Sequence, residues 1–405
     1  MPSPWRAVAW VPLALVVAAP VAGQQPTEHD IVEFALRDGP RARAIRAGVA
    51  VVRAEQHARR AMPNPSVSYS REGAGFAEFL QVEQPIPFWR TRAALARAGV
   101  AAIDAAEAER DAQLAALRAE VRSLLADLSS AQAVAQATRD AIAGMEKIVV
   151  LLRTREREGE GSRFDRLRAE REVADIRRAL AASALRAADA RGRLQALLPD
   201  GTRLDAVTGT TLRDAATPDI ATLLDTARTS RPELRVLRRT AQRFTNEADA
   251  ARRARLPQPV ISAGLKRGDT EDGRERGSIF GLSLSVPLFD RGSRDAARWE
   301  AERTRADAEA SALTRQIEAE VGRGAEMLEL HRQALADYER TALEQTNALR
   351  TIADTAYVEG ALGILELLDA YRSDWTAHAH AATLRFDVRR AQIELERSVG
   401  GMIWP

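Results

Sequence analysis

The 405-residue chain contains no cysteine. That excludes a disulfide framework, a thiolate metal site, a thiol nucleophile and an acyl group carried on a cysteine behind a leader. Past the first two dozen residues there is no apolar run of 18 or more, so no helix is expected to span a membrane. Charge of one sign is not in excess: 59 basic residues face 57 acidic ones, and the signs are interspersed. Such a balance describes a solvated helical surface and not a nucleic-acid patch, so no nucleic-acid partner is expected. Lysine occurs only as Lys147 and Lys266, so nearly all positive charge is arginine, which reads as codon bias before function. The five histidines are scattered. His378 and His380 stand two apart, which puts their rings on different faces of a helix, whereas helical metal ligands stand four apart. Neither a phosphate-binding Gly-Lys-Ser/Thr loop nor a Gly-x-Ser-x-Gly elbow is present. The sequence therefore predicts no enzyme, no metal site and no cofactor.

The N-terminus reads as a targeting segment. Arg6 supplies a basic region, Val8 to Ala19 an apolar stretch broken by Pro12, and Val21-Ala22-Gly23 a small-residue cleavage site. Residues 1–23 are read as a cleaved signal peptide and 24–405 as the exported, unlipidated chain.

What is present is said nearly twice. Pro40 matches Pro232 (232 − 40 = 192), Pro65 matches Pro259 (194), Pro85 matches Pro287 (202) and Gly159 matches Gly360 (201). The step from 194 to 202 falls in one place, between the strands, where the second copy carries the polar insert 267–274. A period near 200 residues is far too long for a solenoid. It indicates a duplicated unit, with repeats over about 28–200 and 218–400.

Each repeat reads as a leading helix, a strand pair, a long helix, a glycine-containing tip and a return helix. The leading helices are expected over 28–61 and 218–255, the long ones from about Arg92 and Arg294. The returns are expected over 163–198 and 364–399. From Val100 a heptad seam runs through Leu114, Val121, Leu128, Ala135, Ile142 and Val149 at one position. Ile103, Leu117, Leu124, Ala131, Met145 and Leu152 fill the other, with Glu107, Arg110 and Thr138 as interruptions. Sustained seven-residue spacing indicates coiled-coil packing. A weaker seam follows Val321, Leu328, Leu335, Ala342 and Leu349. A return helix is about half the length of a long helix, so a return stacked end to end on a leading helix would match it.

In the strands the period switches to two. Phe280, Leu282, Leu284 and Val286 alternate with glycine and serines; Ile261, Ala263 and Leu265 do the same, as do Leu80 with Val82 and Val67 with Tyr69. A transmembrane barrel strand and a half-buried soluble strand both show that alternation. The strand count separates them. Four strands cannot close a barrel, and an open edge cannot face lipid. A membrane reading needs three chains sharing twelve strands. Phe88, Trp89 and Phe289 at the strand exits then stand where interfacial aromatics are found.

These residues resemble the TolC family of outer-membrane efflux channels. The resemblance rests on the paired Pro-x-Pro entries (Pro63/Pro65, Pro257/Pro259), the exits Val286-Pro287-Leu288-Phe289-Asp290-Arg291-Gly292 and Gln84-Pro85-Ile86-Pro87-Phe88, and Arg231-Pro232-Glu233-Leu234. It also rests on the tips Gly159-x-x-Ser162-x-x-Asp165-x-Leu167-x-Ala169 and Gly360-x-x-Gly363-x-x-Glu366-x-Leu368-x-Ala370. Their order and duplication cover nearly the whole mature chain.

The resemblance implies a mostly α fold with a small β part. Long antiparallel coiled-coil helices would form an α-barrel, and four strands per chain would enter a homotrimeric 12-stranded transmembrane β-barrel. It implies a passive outer-membrane channel with a periplasmic helical tunnel, partnered by a periplasmic adaptor, an inner-membrane pump and outer-membrane lipid. Carried onto this sequence, the acidic aperture falls on Glu366 and Asp369, and the contacts that close it on Asp165 and Tyr357. Leu362 stands where some members carry arginine. Adaptor docking falls on the tips Gly159, Gly161, Ser162, Gly360, Leu362 and Gly363. The lipid-facing strand residues are Leu265, Phe280, Leu282 and Leu284. The short first hairpin and the tip Gly159-Glu160-Gly161-Ser162-Arg163-Phe164-Asp165 are similar to the heavy-metal efflux branch, which favours cation export. The channel of a drug pump, a type I secretion channel and a periplasmic coiled-coil scaffold without a pore are the alternatives.

Overall fold

The computed structural model describes residues 26–73, 77–204, 216–253, 255–270 and 273–404. The signal segment expected at 1–23 lies outside them. The element order among the described residues is the same in both halves, except for a π turn in the second. The first half runs α1 (Glu28–Asp38), α2 (Pro40–Arg59), β1 (Ser66–Glu72), β2 (Ala77–Pro85), α3 (Trp89–Glu158) and α4 (Arg163–Gln195). The second runs α5 (Ile220–Ser230), α6 (Pro232–Arg253), β3 (Gln258–Thr270), β4 (Gly273–Ser285), α7 (Ser293–Tyr338), the π turn Glu339–Leu343, α8 (Glu344–Val358) and α9 (Ile364–Val399).

Each leading helix, expected as one, is two. Proline can occupy the first turn of a helix but cannot continue one. Pro40 and Pro232 therefore restart the chain after Gly39 and Arg231. The short α1 is held by a capping box: Thr27 Oγ1 accepts from the Asp30 amide at 3.3 Å, and the Asp30 carboxylate accepts from the Thr27 amide at 2.9 Å. Asp219 caps α5 through the Thr222 amide.

The breaks are where the return helices arrive. Ile31, Ala35 and Ala42 pack with Leu117, Val121, Leu124 and Leu128 of α3 and with Ala190, Leu194 and Leu198 at the end of the first return. In the second half Leu223, Ala227 and Leu234 pack with Ile317, Val321 and Leu328 of α7 and with Val388, Leu395 and Val399 of α9. The leading and return helices therefore meet end to end beside the middle of a long helix. They meet closely. A Cβ on Gly39 would lie 2.5 Å from the Leu197 carbonyl, and one on Gly400 would lie 2.8 Å from the Arg231 Cα.

Helix α3 has 70 residues and extends about 105 Å at 1.5 Å per residue. Its heptad seam is buried from Leu117 through Leu152, including Thr138, except at half-buried Ile142. Thr138 is satisfied there, because its Oγ1 donates to the Val134 carbonyl at 2.7 Å and accepts from Trp375 Nε1 at 3.1 Å. Nearer the sheet the seam changes character. Val100 is 55% exposed, and the buried positions are alanines: Ala94, Ala98, Ala101, Ala102, Ala105, Ala108 and Ala112. Ala94 and Ala98 touch Ala250 of α6. Small side chains let the two backbones approach where bulky heptad residues would hold them apart.

The four strands form one antiparallel sheet in chain order, so β1 and β4 are both open edges. Register aligns Val67, Val82, Ala263 and Phe280 in one row and Tyr69, Leu80, Leu265 and Ser278 in the next.

Candidate functional site

Two regions carry the features singled out in the sequence: one face of the sheet, and the pair of helix tips at the far end of the long helices. Residues paired directly across antiparallel strands point to the same side. By that rule Leu265, Phe280, Leu282 and Leu284 share one face with Val67, Tyr69, Leu80, Val82, Ile261 and Ala263. The face is bare. Phe280 is 82% exposed and Leu282 73%, and its other large apolar side chains are also exposed. The opposite face carries Ser66, Ser68, Gln81, Glu83, Ser262, Lys266 and Ser283, with the Lys266 ammonium 5.5 Å from the Phe79 ring centroid. The alternation is therefore apolar on one side and mainly polar on the other, and the apolar side lies bare, unlike a sheet that hides its apolar side chains beneath a layer of helices. At the helix end of the sheet Phe88 stacks on Trp89 with centroids 6.3 Å apart, and Phe289 is almost fully exposed.

At the other extreme, both hairpins close through glycine in the left-handed region, which suits a residue without a side chain. Gly159 (φ 78°) ends α3, and the amides of Glu160 and Gly161 return to the Arg155 carbonyl at 2.9 and 3.0 Å. Ser162 then caps α4, its hydroxyl accepting from the Phe164 amide at 3.1 Å. Gly360 (φ 76°) follows α8, with the Ala361 and Leu362 amides on the Ala356 carbonyl at 2.8 and 3.2 Å. Gly363 begins α9 without a capping side chain. A Cβ there would lie 2.9 Å from Glu366 Oε2.

The two tips, 201 residues apart in sequence, share one core. Met145, Ile148, Val149 and Leu152 of α3 pack with Ala169, Val173 and Ile176 of α4, Ala353 and Tyr357 of α8, and Ile364, Leu367 and Leu368 of α9. Leu362 packs against its edge. One ion pair crosses the same seam, and further polar contacts tie α8 to α9 within the second hairpin. The Arg372 guanidinium of α9 engages Glu172 of α4 through two hydrogen bonds, one of 2.7 Å from Nε. Those bonds raise the Arg372 pKa above its ordinary value. Tyr371 donates to Asp354 at 2.9 Å; burial and that carboxylate push its phenol up to about 12. Arg350 pairs with Asp374 at 2.8 Å.

Of the residues expected at the aperture, Tyr357 is buried in this core and Asp165 is half-buried in the first turn of α4. No hydrogen bond joins them among the described residues. The group that meets Tyr357 is Arg155, whose guanidinium lies 5.2 Å from the ring centroid, within cation–π range. Sequence reasoning missed Arg155. Its only signal is a basic side chain in the last turn of α3. Glu366 and Asp369 stand one turn apart on the exposed face of α9, in a groove with Leu349, Ile352, Leu365 and Ser373. The structure brings the two acids together and keeps Leu367 and Leu368, on the opposite side of the helix, in the core.

Also missed was a buried ionic cluster midway along the helices. Glu28 of α1 accepts from Arg122 of α3 at 2.7 Å and from Arg389 of α9 at 2.8 and 2.9 Å. Arg122 also pairs with Glu396, whose other oxygen accepts the Ile403 and Trp404 amides at 3.0 Å each. Burial works against the Arg122 charge, but Glu396 and Glu28 outweigh it and raise its pKa. Two guanidinium groups thus meet two carboxylates across both halves of the chain.

The outer membrane efflux protein family matches residues 223–401, which span most of the second repeat. No curated protein matches the chain. Solved structures similar to it include CusC, at 18% identity over 92% of each chain with a TM-score of 0.72. The Vibrio cholerae outer membrane protein VceC is 19% identical over 93% of this chain and 96% of its own, with a TM-score of 0.71. The open-state MtrE outer membrane channel of Neisseria gonorrhoeae is 16% identical over 92% and 89%, with a TM-score of 0.73. The second repeat therefore matches the outer membrane efflux protein family, and the chain as a whole shares the fold of these channels.

Proposed function

We propose that the chain is one protomer of a homotrimeric, passive export channel. In this reading twelve strands from three chains close a β-barrel in the outer membrane, and the helices form a tunnel into the periplasm. The observation that carries the reading is the sheet: an exposed apolar face with open edges at β1 and β4. Lipid has no hydrogen bonds to offer an edge, so such a sheet is stable in a bilayer only when further strands close it. Residues 1–23 act as the signal that exports the chain, which is not lipidated. The repeats, 28–200 and 218–400, supply one strand pair each.

The tips are the gate and the docking end. Gly159, Gly161, Ser162, Gly360, Leu362 and Gly363 meet a periplasmic adaptor that links the channel to an inner-membrane pump. The shared core, the Arg372–Glu172 bridge and Arg155 over Tyr357 hold the two hairpins together in the closed state. Asp165 lies beside that seam. Glu366 and Asp369 from three chains place six carboxylates around the aperture, which favours cations and resists anions. Cation cargo fits that ring.

Membrane fractionation followed by a semi-native gel of the unheated outer-membrane fraction tests the reading. A trimer-sized band that collapses to monomer on heating is the expected result. Monomer in the soluble periplasm would overturn the channel and leave a coiled-coil scaffold as the account.

A further inference from the structure

The outward face of the sheet does not end in apolar residues. One row beyond Tyr69, Leu80, Leu265 and Ser278, register aligns Arg71, Glu78, Arg267 and Arg276 on that same side. The row holds three guanidinium groups and one carboxylate. Glu78 is engaged from the row below, where Tyr69 Oη donates to it at 3.1 Å. Arg267 and Arg276 are directly opposite one another, and like charges at that spacing repel. Arg267 Nε is buried with no hydrogen-bond partner. A buried donor left unpaired and a like-charge pair are both costs, set against the single carboxylate of Glu78 opposite Arg267.

Height along the barrel says what would relieve them. From Val286 to Arg276 is ten residues (286 − 276), or ~34 Å at ~3.4 Å per residue. With strands tilted ~40° that is ~26 Å along the axis, close to the ~25 Å apolar band of an outer-membrane barrel. The strands join the helices at the Val286 end, so the arginine row sits at the hairpin end, away from the periplasm. We infer that Arg71, Arg267 and Arg276 form a basic girdle that binds the phosphate groups of phosphorylated glycolipid in the outer leaflet. Guanidinium forks match phosphate oxygens in pairs. A phosphate between Arg267 and Arg276 relieves their repulsion and gives the unpartnered Nε an acceptor. The inference rests on the membrane-inserted reading above.

The test uses the full-length oligomer reconstituted into phosphatidylcholine vesicles. These are doped either with lipid A carrying both phosphates or with dephosphorylated lipid A. Flotation reports insertion, and mass spectrometry of the re-extracted protein reports retained lipid A. The wild type should float with both and retain the phosphorylated form in excess. The paired change Arg267→Gln and Arg276→Gln should float equally while losing about fivefold of that excess per arginine, the size expected for one basic residue at an anionic surface. Lysine at both positions should keep most of it. Equal retention of both lipids by the wild type, or unchanged preference in the glutamine variant, would overturn the girdle and leave the channel intact. Failure of the wild type to float with either vesicle would overturn the membrane reading, and the girdle with it.

Discussion

A single arginine moved along β4 separates a lipid-facing sheet from a soluble one. Leu282 is 73% exposed and lies one residue from the midpoint of the stretch between Val286 and Arg276, while Val286 is 57% exposed at its helix end. Both are bare in the isolated chain, so on a soluble sheet arginine at either position should change stability by no more than about 0.5 kcal/mol. In a bilayer the cost depends on depth. Leu282→Arg should cost about 2–4 kcal/mol per protomer near the midplane, and Val286→Arg about 0–1 kcal/mol near the interface. The larger figure corresponds to about 30- to 900-fold in the folding equilibrium. Leu284→Arg should fall between them. Equilibrium unfolding in guanidinium from lipid vesicles, read by tryptophan fluorescence and gel mobility, measures all three. A flat profile, with Leu282→Arg as mild as Val286→Arg, would refute the lipid-facing assignment whatever the protein's cellular location.

Glu366→Gln with Asp369→Asn should lower the cation selectivity of the reconstituted pore; unchanged reversal potentials in a salt gradient would remove the acidic ring. Gly360→Val forces a β-branched side chain into φ 76°, a strained conformation, and should abolish export while the oligomer stays in the membrane. Normal export would sink the docking role of that tip. Glu28→Gln leaves Arg122 paired with Glu396 but removes the carboxylate that Arg389 engages, and should destabilise the helical region by about 3–5 kcal/mol; a loss below about 1 kcal/mol in chemical unfolding would show that the cluster is dispensable. Tyr371 keeps its proton until about pH 12 in the folded chain, against about 10 unfolded. Its contribution is therefore complete below pH 10 and lost as pH rises from 10 to 12. Tyr371→Phe should flatten the stability profile across that window, and an unaltered profile would assign the alkaline loss elsewhere.

Local patterns made much of this protein legible. The seven-residue spacing of Val121, Leu128 and Val149 specified a long packed helix because neighbours on a helix face are fixed by sequence distance. Glycines at 159 and 360 marked the reversals, since a left-handed turn favours a residue without Cβ. Alternation in β4 fixed which side chains share a face. The fold class and the resemblance to efflux channels followed from the order of those signals.

The sequence could not say which distant groups would meet. Glu28 and Arg389 are 361 residues apart, and no periodicity joins them. Arg372 and Glu172 stand 200 residues apart, at near-equivalent places in the two repeats, but a repeat offset alone does not say that they touch. Arg155 looked like one of many helix-surface arginines until the second hairpin brought Tyr357 beneath it. The heptad gave no warning that alanines would replace it near the sheet, because the close approach of α6 is a property of the packed pair. Register, likewise, turned isolated arginines into a row. Periodicity determines the shape of each element by itself, whereas ion pairs, close approaches and cross-strand neighbours exist only after the elements have docked.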